Sequence, residues 1–307
     1  MFKQHSSRRD FIKTTSGLFG IAFAAPLFDL KKYKPLLSFS TLGCPDWTFQ
    51  TILNFAAENG YNGVEIRGIQ RQLDLSKCPE FSSKENILAT RRLIEEKKLK
   101  IVDLGSSAAM HHADAAERKK NLDEAKNFIQ LAQQLNCHYI RVFPNNFPKE
   151  QSRNETIDLI IKGLLELGDY AKDTGVTVLM ETHGELVQIA DLEKIMQAVS
   201  HPNVGLVWDI VNMWAVTKEP PAKAYARLKK YIHHTHIKDL KFVDGKEKYA
   251  LLGKGDAPIF EAIDILAKDG YKGYYSFEWE KLWHPEIEEP EVALADYAKV
   301  MKHYFKK

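Results

Sequence analysis

The chain is predicted to be an α/β protein, a single (β/α)8 barrel. Three observations predict it. Strand-like and helix-like stretches alternate eight times between residues 36 and 305. Four of the strand-like stretches run from apolar residues into a carboxylate or an imidazole: Glu181, Asp209, His236 and Glu278. These ends lie 28, 27 and 42 residues apart, and roughly 30 residues make one strand-plus-helix unit. In a closed barrel all the strand ends meet on one face, where the active site is built. The competing open, doubly wound sheet needs a Gly-rich nucleotide turn after strand 1. Leu42-Gly43-Cys44-Pro45-Asp46 is not one.

The elements follow in order. Residues 36–41 read as strand 1, and 47–59 as a helix stopped by Gly60. Strand 2 is 63–67, followed by an amphipathic helix over 83–99. Strand 3 is 101–106. The helix over 115–135 keeps Leu122, Ala125, Phe128, Ile129 and Ala132 on one stripe, the spacing of a core-facing helix. Strand 4 is 139–143, and its helix spans 155–174 before Gly175. Strand 5 is 176–181 with a helix over 192–199. Strand 6 is 204–209 with a short helix over 222–229. Strand 7 is 232–237 with a helix over 258–267. Strand 8 is 273–278, and 292–305 is the closing helix. The stretch 284–291, HPEIEEPE, is expected to form a loop over the barrel mouth.

Residues 1–35 stand apart from the barrel, which spans 36–307. Ser7-Arg8-Arg9-Asp10-Phe11-Ile12-Lys13 places a twin arginine before an apolar pair and a lysine. A mildly apolar stretch follows, with a cleavage-like Ala22-Phe23-Ala24. The pattern resembles a bacterial twin-arginine (Tat) export signal. That resemblance implies the Tat machinery as a partner and a periplasmic destination. No cysteine lies near the cleavage-like site, so no stable membrane anchor is expected after cleavage.

Composition excludes some classes. The net charge of the 307 residues is +2, which gives no electrostatic reason to expect nucleic acid. No apolar run approaches the roughly 20 residues a membrane helix needs. Cys44, Cys78 and Cys137 form no CxxC pair. Buried free thiols are the expectation, with one disulfide left open by an exported location. The sequence leaves the oligomeric state open, a homo-oligomer included.

Glu181, Asp209, His236 and Glu278 combine hard oxygen donors with one nitrogen, without thiolates. That set suits one divalent metal ion: Mn2+, Mg2+, Co2+, Fe2+ or Zn2+. Strand alternation puts 179, 181 and 183 on one side, as it does 207 and 209, 234, 236 and 238, and 276, 278 and 280. A lone strand-end carboxylate is commonly a helix N-cap or a loop ion pair. Four in successive units favour a shared ligand.

The METH motif at strand 5, WDxxN at strand 6, HxKD at strand 7 and FEWE at strand 8 resemble the xylose isomerase-like TIM barrels. These form the sugar phosphate isomerase/epimerase superfamily, and the resemblance covers residues 36–305. It implies a divalent metal held by Glu181, Asp209, His236 and Glu278. It also implies that Glu181 and Glu278 act as the acid/base pair across a small-molecule sugar substrate. Two substrate-clamp positions depart from the epimerase pattern. Asn212 stands where those enzymes have a His, and Phe242 where they have an Arg. The endonuclease branch needs further histidines that are absent here. A metal-dependent isomerase or epimerase is therefore expected, with a 3-keto-glycoside lyase or inosose-type dehydratase as runner-up. A non-catalytic sugar-binding barrel is the reading from another class. An exported enzyme would meet unphosphorylated sugars.

Substrate-binding candidates are His183, Asn212, Lys238, His111 and His112. His183 shares a side with Glu181, Lys238 shares one with His236, and His111 and His112 lie in the loop after strand 3. Glu65, Arg67 and Arg141 read either as a buried charge network or as ligands. Trp47, Trp208, Trp214, Trp279 and Trp283 read as core or as sugar-stacking surfaces. The Gly-rich turn Leu252-Gly253-Lys254-Gly255-Asp256 could hold an anion on its backbone amides.

Overall fold

The computed structural model describes residues 33–306. The twin-arginine motif and the cleavage-like site lie outside those residues. Eight parallel strands close into a barrel in the order β1-β10-β7-β6-β5-β4-β3-β2. They are β1 Leu36–Ser40, β2 Gly63–Ile66, β3 Ile101–Ala109, β4 Tyr139–Phe143, β5 Thr177–Glu181, β6 Val204–Asp209, β7 Ile232–Ile237 and β10 Tyr274–Phe277. Closure is made by β1 against β10, from Leu36↔Tyr274 to Phe39↔Phe277.

The helices that wrap the barrel start where short polar side chains cap them. In α1 Phe49–Glu58 the Thr48 side chain accepts from the Thr51 N–H. Ser83 caps α2 Lys84–Glu96, and Asp114 caps α3 Ala115–Leu135 through two N–H groups. In α4 Arg153–Ala171, Ser152 and Glu155 form a reciprocal capping box, which satisfies two otherwise unpaired donors. The remaining helices are α5 Ile189–Val199, α6 Ile210–Thr217, α7 Pro221–Leu228, α8 Ile259–Lys268 and α9 Pro290–Tyr304. None of the described helices is long and apolar enough to cross a membrane.

Strict one-strand, one-helix alternation fails at two places. Between β6 and β7 the chain makes two helices, because the apolar stretch after Asp209 forms α6, capped by Asp209 itself. After β7 it makes an antiparallel hairpin, β8 Leu240–Val243 and β9 Lys246–Tyr249. The Asp244-Gly245 turn with both φ values positive is the hairpin signal.

The core lies between the barrel and its helices. Phe277 stacks on Tyr297 at 4.4 Å and on Trp279 at 5.6 Å, which fixes α9 against β10. Trp208 and Trp279 are fully buried and Trp283 is half exposed, so two of the five tryptophans are core. Cys44, Cys78 and Cys137 are all buried and free.

The barrel interior departs from the usual filling of branched apolar residues. Ser38, Ser40, Glu65, Asp103, Arg141, Glu181, Asp209, His234, His236, Lys238, Ser276 and Glu278 are all buried. So many buried polar groups carry a large desolvation cost unless they are paired or bind a ligand.

Candidate metal centre and active site

β6 and β7 set the centre of the site. Their register places Asp209 beside His236, and the β7–β10 register places Ser276 beside His236. Glu181 enters from the end of β5 and Glu278 from just beyond β10. One donor atom from each of Glu181, Asp209, His236 and Glu278 falls in a group whose atoms lie within 4.8 Å of one another. The sequence brings these four together as expected from strand-end spacing.

His236 is the pivot. Its Nδ1 lies 3.2 Å from Glu181 Oε1 and 3.3 Å from Glu278 Oε1. Its Nε2 lies 3.1 Å from Glu65 Oε2. That oxygen also sits 2.9 Å from His234 Nε2 and accepts from the Ser276 hydroxyl at 3.0 Å. A carboxylate behind the imidazole favours the proton on Nε2 and leaves Nδ1 as the ligand atom.

Asp209 does two jobs. Its Oδ1 accepts from the Asn212 N–H at 2.9 Å and caps α6. Its Oδ2 lies 2.7 Å from Lys238 Nζ. Lys238 Nζ also donates to Glu278 Oε2 and to Glu280 Oε1, both at 2.7 Å. Arg141 Nε lies 3.1 Å from Glu181 Oε2, and its guanidinium sits 3.8 Å over the Phe143 ring.

Charge explains the titration behaviour. Burial pushes the Asp209 carboxyl up to about 7, against the pull of Lys238. Burial opposes ionisation of Glu278 too, but His236 and Lys238 outweigh it and hold the group well below the carboxylate range. Glu181 is also held low, by His236 and Arg141 against burial and the Glu278 charge. Burial alone would lower His236. Glu278, Glu65 and Glu181 reverse that and raise it well above the ordinary histidine value. The carboxylates therefore demand a cation at Nδ1, which a proton or a divalent ion can supply. Glu181 Oε2 and Asp209 Oδ2 are buried and accept no aligned hydrogen bond. The donor set fits a divalent metal, and these two buried oxygens are otherwise met only by the ion pairs to Arg141 and Lys238.

The other candidates divide. Lys238 belongs to the cluster. His183 borders it: its ring lies 4.6 Å from Phe143 and its Nδ1 3.1 Å from Asn145 Oδ1. Burial, with Lys238 and Arg141 nearby, lowers its pKa despite Glu181. Asn212 supplies its backbone N–H to Asp209, and its side chain makes no hydrogen bond among the described residues. The His111 and His112 rings lie against each other at 4.1 Å, tilted by 34°, and share no hydrogen bond or ion pair with the cluster. The Gly-rich turn is not a free anion site. Asp239 accepts from the N–H groups of Leu240, Gly253, Gly255 and Ala257. A Cβ on Gly255 would fall within 1.9 Å of Asp239 Oδ1. Glu65, Arg67 and Arg141 are all buried, but they do not contact one another as one network: Glu65 meets His234, His236 and Ser276, Arg67 donates to Ser107, and Arg141 reaches Glu181.

Sequence reading passed over three buried or half-buried members, Asp103, His234 and Glu280. His234 and Glu280 were legible as alternation, two residues from His236 and Glu278. Asp103 gave one signal, a lone charge inside the apolar run of β3. Both of its oxygens are buried without a hydrogen bond. Burial and the neighbouring Glu65 charge hold it well above the carboxylate range.

A family model described as xylose isomerase-like TIM barrel matches residues 53–303. The chain belongs to that family. Among curated proteins, an inosose isomerase from Halalkalibacterium halodurans is 25% identical over 243 residues, covering 76% of this chain and 82% of the relative. A 3-dehydroshikimate dehydratase from Bacillus anthracis is 25% identical over 230 residues, covering 70% and 78%. Among solved structures, the IolI protein with a bound zinc atom superposes with a TM-score of 0.72 at 19% identity, covering 88% of this chain and 97% of that one.

Proposed function

We propose that the chain is a divalent-metal-dependent isomerase or epimerase, which removes a proton alpha to a carbonyl of an unphosphorylated sugar or keto-sugar. The observation that carries this is the pair Glu181 and Glu278. Both are buried, both are held ionised, and they enter from strands separated by β6 and β7. A cation held by Glu181, Asp209, His236 and Glu278 would supply positive charge beside the substrate carbonyl. Either glutamate can accept the carbon-bound proton, and that glutamate, now protonated, can return it to the adjacent carbon; return to the opposite face requires that the other glutamate first take up a proton. Burial excludes bulk water from both carboxylates. Lys238 bridges Asp209 and Glu278 at 2.7 Å each and offsets their mutual repulsion.

One observation favours elimination as the second reading. Lys238 is an ammonium donor 2.7 Å from Glu278. The glutamate would take the alpha proton, the carbon–oxygen bond at the beta position would break, and Lys238 would protonate the departing oxygen. The products are an unsaturated ketone and water or an alcohol. The relative named as a dehydratase is consistent with this second course.

The test is solvent exchange in deuterated water over a panel of ketoses, inososes and 3-keto-glycosides. Wild type is expected to incorporate deuterium next to the carbonyl. The Glu181→Gln and Glu278→Gln variants, loaded with metal, are expected to lose about 10²- to 10⁴-fold in that rate. Wild-type exchange in both variants would remove the acid/base assignment. Loss of water or alcohol from the substrate separates elimination from isomerisation.

A further inference from the structure

A cleft of about 940 Å3 opens between the long β2–α2 connection and α3. No metal-cluster residue lines it. We propose that this cleft is a carbohydrate-binding subsite, which holds a neutral sugar unit of a substrate that extends beyond the metal centre. The inference rests on the reading of the metal centre as a sugar enzyme, and it narrows the substrate from a free monosaccharide to a glycoside or disaccharide.

Three observations carry it. The first is volume: ligand pockets typically occupy about 300–1,000 Å3, and a sugar ring needs only part of that. The second is chemistry. Hydroxyl, amide and carboxylate groups such as Ser76, Asn127 and Glu124 line the cleft together with Phe81 and Phe128. Asp74 pairs with Lys77, Asp123 with Lys119 and Lys120 with Glu117. The wall sets Lys84 and Lys120 against Asp74, Asp123 and Glu124, so it has no excess of positive charge for phosphate. It offers many hydrogen bonds beside apolar surface, which is what a neutral polyol with a hydrophobic face requires. Asn127 is exposed, and its side chain makes no hydrogen bond among the described residues.

The third observation is continuity with the metal centre. Ser107 lines the cleft and is the single exposed residue of β3. Its N–H donates to Glu124 Oε1 at 2.6 Å, and its hydroxyl accepts from Arg67 Nη2 at 2.9 Å. Arg67 is 5% exposed, and its Nη1 is buried with no hydrogen bond. Its side chain lies across Gly105, where a Cβ would meet Arg67 Cδ at 2.9 Å and Arg141 Nη2 at 3.0 Å. Arg141 in turn reaches Glu181. Arg67 therefore lies between Ser107 of the cleft wall and Arg141, the residue beside Glu181.

The experiment is calorimetric titration of the full metal-loaded protein with cellobiose, maltose and trehalose, and with glucose as the single-unit control. At least one disaccharide is expected to bind about tenfold or more tighter than glucose, a difference of about 1.4 kcal/mol. Asn127→Trp, which fills the cleft from α3, is expected to erase that difference while the bound metal stays at the wild-type level. Ser76→Trp fills it from the opposite wall and should do the same, so a single misfolded variant does not decide. Retention of the full disaccharide preference by both folded variants overturns the subsite. So does a wild-type protein that binds none of the three disaccharides tighter than glucose. Failure of the metal-centre reading looks different: it appears as loss of metal-dependent proton exchange, with the effect of the two tryptophans unchanged.

Discussion

His236 presents its Nε2 to Glu65 Oε2 at 3.1 Å while its Nδ1 faces Glu181 and Glu278. One imidazole thus joins a buried carboxylate on β2 to the strand-end carboxylates of the candidate metal centre. Its orientation is not left to the metal. Glu65 is in turn held by His234 and Ser276, so the geometry of the ligand is fixed from beneath.

Removing the charge of Glu65 while keeping its shape should expose that role. Partners behind a ligating histidine typically contribute 10- to 100-fold in metal affinity. Glu65→Gln is expected to weaken Mn2+ binding by about that factor, read by competition with a chelating dye. Nitrogen NMR of the imidazole should show a smaller preference for the proton on Nε2. Wild-type affinity in this variant would mean that Glu65 is a bystander.

Metal affinity should rise with pH. Asp209 has a raised folded pKa, about 7. The metal-free folded protein therefore keeps a proton that the unfolded chain would release. The stability from that proton is fully present below the unfolded carboxylate value, near 4, and is lost as pH rises through about 7. His236 is shifted up as well, so its stabilising proton is lost only above its raised value. A metal must displace these protons. Its apparent affinity should climb by about tenfold per pH unit for each proton displaced, from pH 5 to at least 7. A flat profile over that range in calorimetric titrations would contradict the assignment.

Lys238 neutralises three carboxylates at 2.7 Å. Lys238→Met leaves them buried and unpaired, and breaking a buried pair in this way costs about 3–5 kcal/mol. Urea denaturation of the metal-free variant should show a loss of that order. Added divalent metal should recover more stability in the variant than in wild type. Equal stability of the two metal-free proteins would show that Lys238 is not the counter-charge.

The barrel and the convergence of its four strand-end side chains were legible because both rest on strong local signals. Apolar strands ending in Glu181, Asp209 or Glu278 mark the active face, and period-two alternation aligns His236 with Lys238. The helix after Asp209 was not legible. The stretch Ile210–Thr217 is apolar enough to continue a buried strand, and it became a helix because the Asp209 side chain caps it. The hairpin that ends at Tyr249 was hidden by its charged residues, which read as loop. His111 and His112 lie on the expected side of the barrel, yet sequence spacing says nothing about how far a loop reaches. The turn at Gly253 and Gly255 carried an anion-site pattern, and Asp239 fills that place from within the chain. The network of Glu65, His234 and His236 depends on contacts between residues up to 171 apart in sequence, which no local pattern encodes.

The central claim is that Glu181, Asp209, His236 and Glu278 hold one divalent metal ion. The most direct test is calorimetric titration of Mn2+ or Zn2+ into chelator-treated protein, for wild type and for folded Asp209→Ala and His236→Ala variants. One equivalent is expected to bind wild type, and both variants should lose most of that affinity while keeping the wild-type circular dichroism spectrum. Wild-type affinity in either variant, or no binding to wild type, would contradict it.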